Sequence, residues 1–441
     1  MFKGKFKDIV AKDDGFLRGP FGSALKKSLF VSKSDDTYKV YEQGVVLEQD
    51  NTIGNYYISK EYYDSKMSRF ATKAGDFLVS CSGVNYGAIY QLPNDSKNGV
   101  INQALLRIRL NNDIIDNDYF LYYFNTYISK VITGGTGDST IPNFPPMQYV
   151  KNIDIELPEL EVQKKISSVL KNIDKKIENN NKINTELESM AKIIYDYWFL
   201  QFEFPNEEGK PYKSNGGKMV WNEELKRKIP EGWEVGCFKD IISELECGNR
   251  PKGGIIDSIN NGIPSIGAEN IISIGKYDFS SEKYIPQEYF NSLKKGIVKS
   301  NDVLIYKDGA GIGHVSMAKN NFPHEKCAIN SHVFIVRSKY NNLYQNYIYL
   351  TLEKNYIKKI LVNLAMKAAQ PGLNQPNIES IPIIIPTKNI IKEFNKSIDV
   401  IFDKIFLNAN ENKELTSLRD FLLPLLMNGQ VGFKEVAFAE E

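Results

Sequence analysis

A long internal repeat constrains this fold more than any other feature, because stretches of the first half return in the same order about 228 residues later. The matched stretches, first copy first, are FKDIV (6–10) with FKDII (238–242), GDFLVSCSG (75–83) with NDVLIYKDG (301–309), GVINQALLRIRL (99–110) with KCAINSHVFIVR (326–337), and VKNIDIELP (150–158) with IESIPIIIP (378–386). A period this long indicates a duplicated domain rather than a solenoid of short repeats. The chain of 441 residues is long enough for two or three domains with their own cores.

Both copies have the same internal order. Short strand-like runs, glycine-rich turns and aromatic helical stretches come first, and a long helix follows a Leu-Pro or Ile-Pro end. Glu159 and Glu161 suit the first turn of such a helix, where acidic groups complement the dipole. We therefore predict an α+β fold of two duplicated mixed domains separated by a long antiparallel two-helix coiled coil, with pseudo-two-fold symmetry. The predicted boundaries are 1–158 for the first mixed domain, 159–203 for the central long helix, 204–232 for a linker, 233–386 for the second mixed domain, 387–428 for the C-terminal long helix and 429–441 for a tail.

The two long helices are predicted to pair because each has an apolar heptad pattern interrupted by two asparagine layers. The a positions are Ile166, Ile173, Asn180, Leu187 and Ile194, then Phe394, Ile401, Asn408, Leu415 and Leu422; the d positions are Leu170, Ile177, Asn184, Ala191 and Trp198, then Ile398, Ile405, Asn412, Arg419 and Leu426. An antiparallel pairing sets Asn180 against Asn412 and Asn184 against Asn408. A one-heptad slip leaves buried amides unpaired at roughly 1–3 kcal/mol each, so the asparagines are expected to fix the register. A parallel pairing also aligns them, and two independent amphipathic helices are the alternative.

Composition limits the class of protein only loosely. The net charge of +1 counts mildly against a nucleic-acid binder, although local basic patches can exist. The four cysteines lack the spacing of a disulfide framework and are expected to be buried, reduced thiols. We find no secretory signal and no apolar run of membrane-spanning length, so we expect a cytoplasmic protein with no membrane partner.

The stretch KDGAGIGHV (307–315) follows an apolar strand and resembles the start of a dinucleotide-binding turn. Its glycines are spaced G-x-G-x-G instead of G-x-G-x-x-G, and a strand-like run follows where a helix should begin. Its glycines also recur in CSGVNYGAI (81–89), so we predict a hairpin turn in each copy. NFPPM (143–147) only approximates the loop of amino-group DNA methyltransferases. The three histidines and Cys327 do not have a zinc-site spacing, and no metal site is expected.

Taken in order, several motifs resemble the DNA-specificity subunit of type I restriction-modification systems over nearly the whole chain. They are GPFGSALKK (19–27), GDFLVSCSG, NDVLIYKDGAGIGHV, LPELEVQKKISSVLKNIDKKIE (157–178), WFLQFEFP (198–205), IPEGWEV (229–235) and IPIIIPTKNIIKEFNKSIDVIFDKI (381–405). The resemblance implies two target-recognition domains, each contacting one half of a split double-stranded DNA sequence. It also implies that catalysis lies in two methyltransferase subunits and two restriction (translocase) subunits. S-adenosylmethionine, ATP and magnesium would then serve those partners, with no cofactor and no catalytic residue in this chain. One departure is the short N-terminus, which lacks an IP-x-GW lead-in.

Candidate DNA-contacting residues lie around the duplicated turns and in nearby basic stretches. They are Arg18, Lys26, Lys27, Ser82, Asn85 and Tyr86 in the first copy, and Arg250, Lys252, Lys307, Asp308, His314 and Lys367 in the second. Lysine and arginine would supply phosphate contacts, and the turn side chains would contact base edges. Because the two turns share glycines but not side chains, we expect an asymmetric target in which the two half-sites differ. The alternatives are a stand-alone DNA methyltransferase with atypical motifs, or a two-module coiled-coil scaffold that binds no DNA.

Overall fold

The computed structural model describes residues 1–134, 144–250, 262–367 and 372–433. The chain divides into two compact units, the first formed by Met1–Lys175 with Thr416–Glu441 and the second by Lys176–Leu415. Each unit has its own buried apolar core.

The first unit contains ten strands among its described residues. They are β1 (Phe2–Lys5), β2 (Phe16–Arg18), β3 (Thr37–Tyr41), β4 (Tyr57–Ser59), β5 (Ala71–Thr72), β6 (Phe77–Ser80), β7 (Ile89–Gln91), β8 (Gly99–Ile101), β9 (Leu105–Ile108) and β10 (Asp154–Leu157). They form a four-stranded antiparallel sheet in the order β2-β9-β6-β7, a second sheet in the order β4-β3-β8-β5 with β3 and β8 parallel, and the antiparallel pair β1-β10.

The second unit repeats this topology. Its strands are β11 (Met219–Asn222), β12 (Arg227–Pro230), β13 (Glu234–Cys237), β14 (Ile242–Cys247), β15 (Ile263–Ile266), β16 (Ile271–Ser273), β17 (Lys276–Tyr277), β18 (Lys283–Ile285), β19 (Val303–Tyr306), β20 (Val315–Met317), β21 (Ala328–Ile329), β22 (Val333–Ser338) and β23 (Pro382–Ile385). The order β14-β22-β19-β20 matches β2-β9-β6-β7, the parallel pair β15-β21 matches β3-β8, and β13-β23 matches β1-β10. The duplication predicted from the sequence is confirmed at the level of sheet order.

The helices comprise short segments and two long ones. They are α1 (Gln43–Leu47), α2 (Lys60–Tyr62), α3 (Asn117–Tyr123), α4 (Ser129–Gly134), α5 (Met147–Lys151), α6 (Leu160–Tyr195), α7 (Phe238–Ile241), α8 (Gln287–Ser292), α9 (Lys339–Asn342), α10 (Gln345–Leu352), α11 (Asn355–Met366), α12 (Gln375–Glu379) and α13 (Lys388–Met427). The central long helix is α6, which continues as a π-helical turn over Asp196–Leu200. The C-terminal long helix is α13, and both long helices contribute residues to both units. Within the part of the chain that the structure describes, no helix combines the length and apolar character needed to cross a membrane.

The inner strands β6 and β19 of the two four-stranded antiparallel sheets are buried on both faces, which explains their continuous apolar sequences. In β6, Phe77 and Val79 face one core and Leu78 faces another. In β19, Val303 and Leu304 divide in the same way between two cores. The alternation of side chains along a strand therefore places a packed layer on each side of both sheets.

Residues 204–232, predicted to be a linker, contain the antiparallel hairpin β11-β12. Phe204 and Ile229 are 4% and 2% exposed and belong to the core of the second unit. Phe204 stacks on Trp233 with ring centroids 5.1 Å apart. The composition of the segment does not anticipate this, because its few core side chains are separated by polar turn residues.

Candidate nucleic-acid interface

Each unit closes the hairpin of its antiparallel sheet with a turn that has glycines at two matched positions. Between β6 and β7, Gly83 and Gly87 have φ angles of 71° and 85°. Between β19 and β20, Gly309 and Gly313 have φ angles of 106° and 83°. Side chains other than glycine are strained at positive φ, so both copies need glycine at these points. The hairpin interpretation of KDGAGIGHV is confirmed.

Sheet topology brings the predicted residues of each unit to one edge. In the first unit, β2 and β6 both pair antiparallel with β9, so they run in the same direction and end at the same edge. In the second unit, β14 and β19 stand in the same relation to β22. We call these edges the turn edges, formed by residues 18–27 and 82–87 in the first unit and by residues 247–250 and 307–314 in the second.

The turn edge of the first unit presents Arg18 beside the hairpin turn. Burial raises the pKa of the Cys81 thiol to about 12, and the adjacent Arg18 guanidinium opposes that rise. The Arg18 guanidinium also lies over the Phe144 ring, 5.4 Å from its centroid. Asn85 is exposed at the tip of the turn. The half-buried Arg18 and the exposed Asn85 have the donors and acceptors needed for contacts with base edges or phosphates.

Other predicted residues of the first unit differ in accessibility. Lys26 and Lys27 are exposed in the segment after β2. Ser82 is held by Gln43, since Nε2 of Gln43 donates to the Ser82 carbonyl oxygen over 2.5 Å and the Ser82 hydroxyl donates to Oε1 of Gln43 over 3.2 Å. Tyr86 is only 8% exposed, and its hydroxyl donates to the Thr133 carbonyl oxygen over 3.1 Å. A base contact by Tyr86 would therefore require the turn to open.

In the second unit, the turn edge has a different set of polar side chains. Asp308 contacts Nδ1 of His332, and Arg250 contacts Nε2 of the same ring. Nζ of Lys307 donates to the Ser331 carbonyl oxygen over 3.4 Å, and His314 is exposed. Arg250, Lys307, Asp308 and His314 thus lie around one turn, as their place in the repeat suggests. The sequence analysis did not single out Gln43 or His332 as interface residues, because neither side chain recurs at the matched position of the other copy.

A further predicted basic residue lies close to this cluster. Lys367 is exposed directly after α11, and Leu361 of that helix lies against Gly313, where an added Cβ would be 3.6 Å from its side chain. The helix that ends before Lys367 is therefore adjacent to the turn. Lys252 lies outside the described residues.

A buried ion pair supports each hairpin, and the sequence analysis missed both pairs. Nε of Arg109 donates to Oδ1 of Asp76 over 2.7 Å, and Nε of Arg337 donates to Oδ1 of Asp302 over 2.6 Å. Each carboxylate also accepts a hydrogen bond from a backbone N–H three residues earlier. The available signal was the repeat itself, since an aspartate recurs directly before β6 and β19, and an arginine recurs directly after β9 and near the end of β22.

The four asparagines of the long helices lie in the second unit and contact each other. Nδ2 of Asn180 is 2.9 Å from Oδ1 of Asn412, and Nδ2 of Asn408 is 2.9 Å from Oδ1 of Asn184. Nδ2 of Asn184 also donates to the Ile405 carbonyl oxygen over 3.1 Å. The structure thus has the antiparallel arrangement, while the role of these residues in selecting the register stays a prediction.

Comparison with known proteins follows the same division of the chain. The family model described as "Type I restriction modification DNA specificity domain" matches residues 21–189 and 230–417, once in each copy. The MjaIX type I restriction enzyme specificity subunit of Methanocaldococcus jannaschii is 28% identical over 370 residues, covering 83% of this chain and 80% of the relative. The HindI type I restriction enzyme specificity subunit of Haemophilus influenzae is 24% identical, covering 89% of this chain and 95% of the relative.

A solved structure supports the fold. The crystal structure of the type I restriction-modification S subunit from M. genitalium superposes with a TM-score of 0.58 at 15% identity, covering 97% of this chain and 96% of that chain. At this identity the likeness concerns the fold alone. The family model matches well over half of the sequence, in two segments that correspond to the two copies of the repeat. This chain belongs to the family of type I restriction-modification DNA specificity proteins.

Proposed function

We propose that this chain is the sequence-specific DNA-recognition subunit of a type I restriction-modification complex, and that each unit contacts one half of a bipartite target. The observation that supports this most directly is the pair of turn edges. Both have the same strands and the same positive-φ glycines, but they carry different side chains. A duplicated backbone with divergent exposed groups suits the recognition of two different DNA segments.

In this proposal the chain directs chemistry that its partners perform. Two methyltransferase subunits would use S-adenosylmethionine to methylate adenines in the target, and two restriction subunits would use ATP and magnesium. The membership of the chain in the specificity family supports this division of labour. Arg18, Lys26, Lys27 and Lys367 would supply phosphate contacts that fix the position of the DNA, and the turn side chains would select bases.

The test is to map methylated adenines across the genome of the native host, with and without the gene for this chain. We expect one split motif that is methylated only when the gene is present, because the chain selects the site for its methyltransferase partner. The same map returns both half-sites and the spacer. A methylation pattern that is identical in both strains would refute the proposal.

Two measurements distinguish the alternative functions. A stand-alone methyltransferase would bind S-adenosylmethionine as a purified single chain, whereas we expect binding only after the methyltransferase partner is added. A scaffold without DNA affinity would fail to retain any duplex even in complex with that partner. Isothermal titration and electrophoretic mobility shift, performed on the chain alone and on the complex, check both points.

A further inference from the structure

The turn edge of the second unit contains a three-residue polar relay that has no counterpart among the described residues of the first unit. Asp308 follows β19, His332 precedes β22, and Arg250 is the third residue after β14. The His332 ring lies between the other two side chains, with Nδ1 against Oδ1 of Asp308 and Nε2 against Nη2 of Arg250. Three separate segments of the chain therefore meet at one imidazole.

Hydrogen-bond chemistry assigns a direction to this relay. A carboxylate can only accept and a guanidinium can only donate, whereas a neutral imidazole does one at each nitrogen. Both contacts are satisfied when Nδ1 of His332 has the proton and donates to Asp308, leaving Nε2 to accept from Arg250. In the opposite tautomer, the lone pair of Nδ1 would face the Asp308 carboxylate, and the N–H of Nε2 would face an N–H of Arg250. Asp308 therefore orients the ring that holds Arg250.

The backbone around His332 is anchored, so the ring can serve as a fixed support. The His332 N–H donates to Oδ1 of Asn330 over 2.8 Å, and the Lys307 N–H donates to the His332 carbonyl oxygen over 2.9 Å. The second bond ties the start of the hairpin turn to the strand that follows His332. Asn102 makes the corresponding side-chain bond in the first unit, to the Ala104 N–H over 3.0 Å, so this anchor belongs to the duplicated backbone.

The relay itself is specific to the second unit. In the first unit Ala104 occupies the position that matches His332, and Phe21 is the third residue after β2. There the start of the turn is held by Gln43, whose Nε2 donates to the Ser80 hydroxyl over 2.8 Å. The start of the turn is thus held by the neutral amide of Gln43 in the first unit, whereas the second unit has the charged relay beside the start of its turn.

We propose that His332 is a positioning residue that holds the Arg250 guanidinium for contact with acceptor atoms of DNA, and that it affects recognition of the second half-site only. This inference rests on the proposed function. A guanidinium has five N–H donors, and the contact with His332 uses one nitrogen of the three. The remaining donors can bind two acceptor atoms at once, as in the pairing of arginine with guanine O6 and N7 or with phosphate oxygens.

The test uses the complete methylation complex and duplexes that contain the mapped target. The variants are Arg250→Ala, His332→Phe, Asp308→Leu and the double variant Arg250→Ala with His332→Phe. His332→Gln is the conservative variant, because its side-chain carbonyl can still accept from Arg250. Glu325→Gln is the matched control, since Glu325 is exposed in the same unit and belongs to no predicted contact set.

We expect Arg250→Ala and His332→Phe each to weaken binding of the native duplex by roughly tenfold to a hundredfold, with the first half-site still discriminated as in the wild type. The double variant should be no weaker than Arg250→Ala alone, because both changes remove one interaction. Asp308→Leu should weaken binding in the same direction, because it removes the acceptor that orients the His332 ring, and His332→Gln should retain most of the affinity. Glu325→Gln should behave as the wild type.

Duplexes changed one base pair at a time identify the acceptor. A relaxed preference at one position of the second half-site assigns Arg250 to a base edge. A uniform loss with a salt slope reduced by about one assigns it to a phosphate. Either result supports the positioning role.

Other results would overturn the inference. These are wild-type binding by His332→Phe, an additive loss in the double variant, or equal losses at both half-sites in variants that unfold at the wild-type temperature. If His332→Phe does not fold, wild-type binding by Asp308→Leu, which has no acceptor for Nδ1 of His332, would overturn it. Failure of the proposed function is a separate outcome, because the wild-type complex itself would then show no preferred duplex.

Discussion

Asp302 and Arg337 show how a charged pair can be accommodated inside a sheet. Their side chains are 1% and 7% exposed, and two nitrogens of Arg337 donate to the two carboxylate oxygens over 2.6 and 2.7 Å. Burial raises the pKa of Asp302, and the hydrogen bond from Arg337 opposes that rise. The arginine compensates for much of the desolvation of the carboxylate, and each residue becomes costly without the other.

Replacing Asp302 by alanine is expected to lower the free energy of unfolding by about 3 kcal/mol, because the buried Arg337 loses the carboxylate that pairs with two of its nitrogens and keeps only Glu244 and Glu246. Equilibrium urea unfolding measures the change. Glu223→Ala is the control, since Glu223 and its partner Lys226 are both exposed and pair over 2.9 Å. That variant should lose less than about 1 kcal/mol. Equal losses in both variants would contradict the assignment.

The four cysteines differ in environment, although the sequence predicts buried thiols throughout. Cys81 and Cys327 are buried, whereas Cys237 and Cys247 are partly exposed, so the prediction was wrong for two of the four. Burial raises the pKa of both Cys81 and Cys327 to about 12. A raised thiol pKa means less of the reactive thiolate at neutral pH.

Maleimide labelling of the folded protein at pH 7.5 should therefore modify Cys247 and spare Cys81 and Cys327. Raising the pH toward 9 should change the labelling of Cys81 and Cys327 little, because the pH stays below the pKa of both thiols and the reagent cannot reach them. All four cysteines should react in 8 M urea, as seen by mass spectrometry of peptides. Labelling of Cys81 in the folded protein as fast as Cys247 would contradict the burial argument.

At the scale of elements, the long helices were the most predictable part of the chain. A heptad pattern is a local property, and it fixes which face of a helix is apolar before any partner is known. The asparagine layers add a pairing constraint, since buried amides require polar partners. The sequence did not predict the additional partners, such as Glu411, whose Oε2 accepts from Nδ2 of Asn180 over 2.7 Å.

Asn408→Leu is expected to lower the free energy of unfolding by about 1–3 kcal/mol, because it leaves the Asn184 carbonyl oxygen buried without its donor. The double variant Asn184→Leu with Asn408→Leu should lose less than the single one, since an apolar layer replaces the amide pair. A double-mutant cycle in urea measures this coupling. Asn179→Leu, at an exposed position of α6, should change stability by under about 0.5 kcal/mol. Additive effects of the two seam substitutions would contradict the pairing argument.

At the scale of the whole molecule, the duplication produces two units that have the same backbone arrangement and different polar side chains at their turns. The sheet orders, the turn glycines and the aspartate–arginine pairs recur in both units. The polar side chains at and beside the turn edges do not recur, since Asn85 and Gln43 occur in one unit and Arg250, Asp308 and His332 in the other. The backbone requires the first group, whereas the second group can differ without changing the fold.

The two halves of the DNA target are therefore expected to differ in sequence, because different donors and acceptors select different base edges. Methylation mapping of the native host gives both half-sites directly. A palindromic target, with the second half-site the inverted repeat of the first, would contradict this prediction.

The sequence alone determined the duplication, the α+β class, the apolar faces of the two long helices and the two glycine hairpins, because repeats, heptads and turn glycines are local patterns of residue spacing. The structure decided that the two helices pair antiparallel. The sequence also placed Arg18, Asn85, Arg250 and His314 near the turns. Only the tertiary structure decided how those residues are supported. The contacts of His332 with Arg250 and Asp308 join residues 82 and 24 positions apart, and those of Gln43 with Ser82 join residues 39 apart. No short-range pattern encodes such pairs, since they depend on which strand ends share an edge of the sheet.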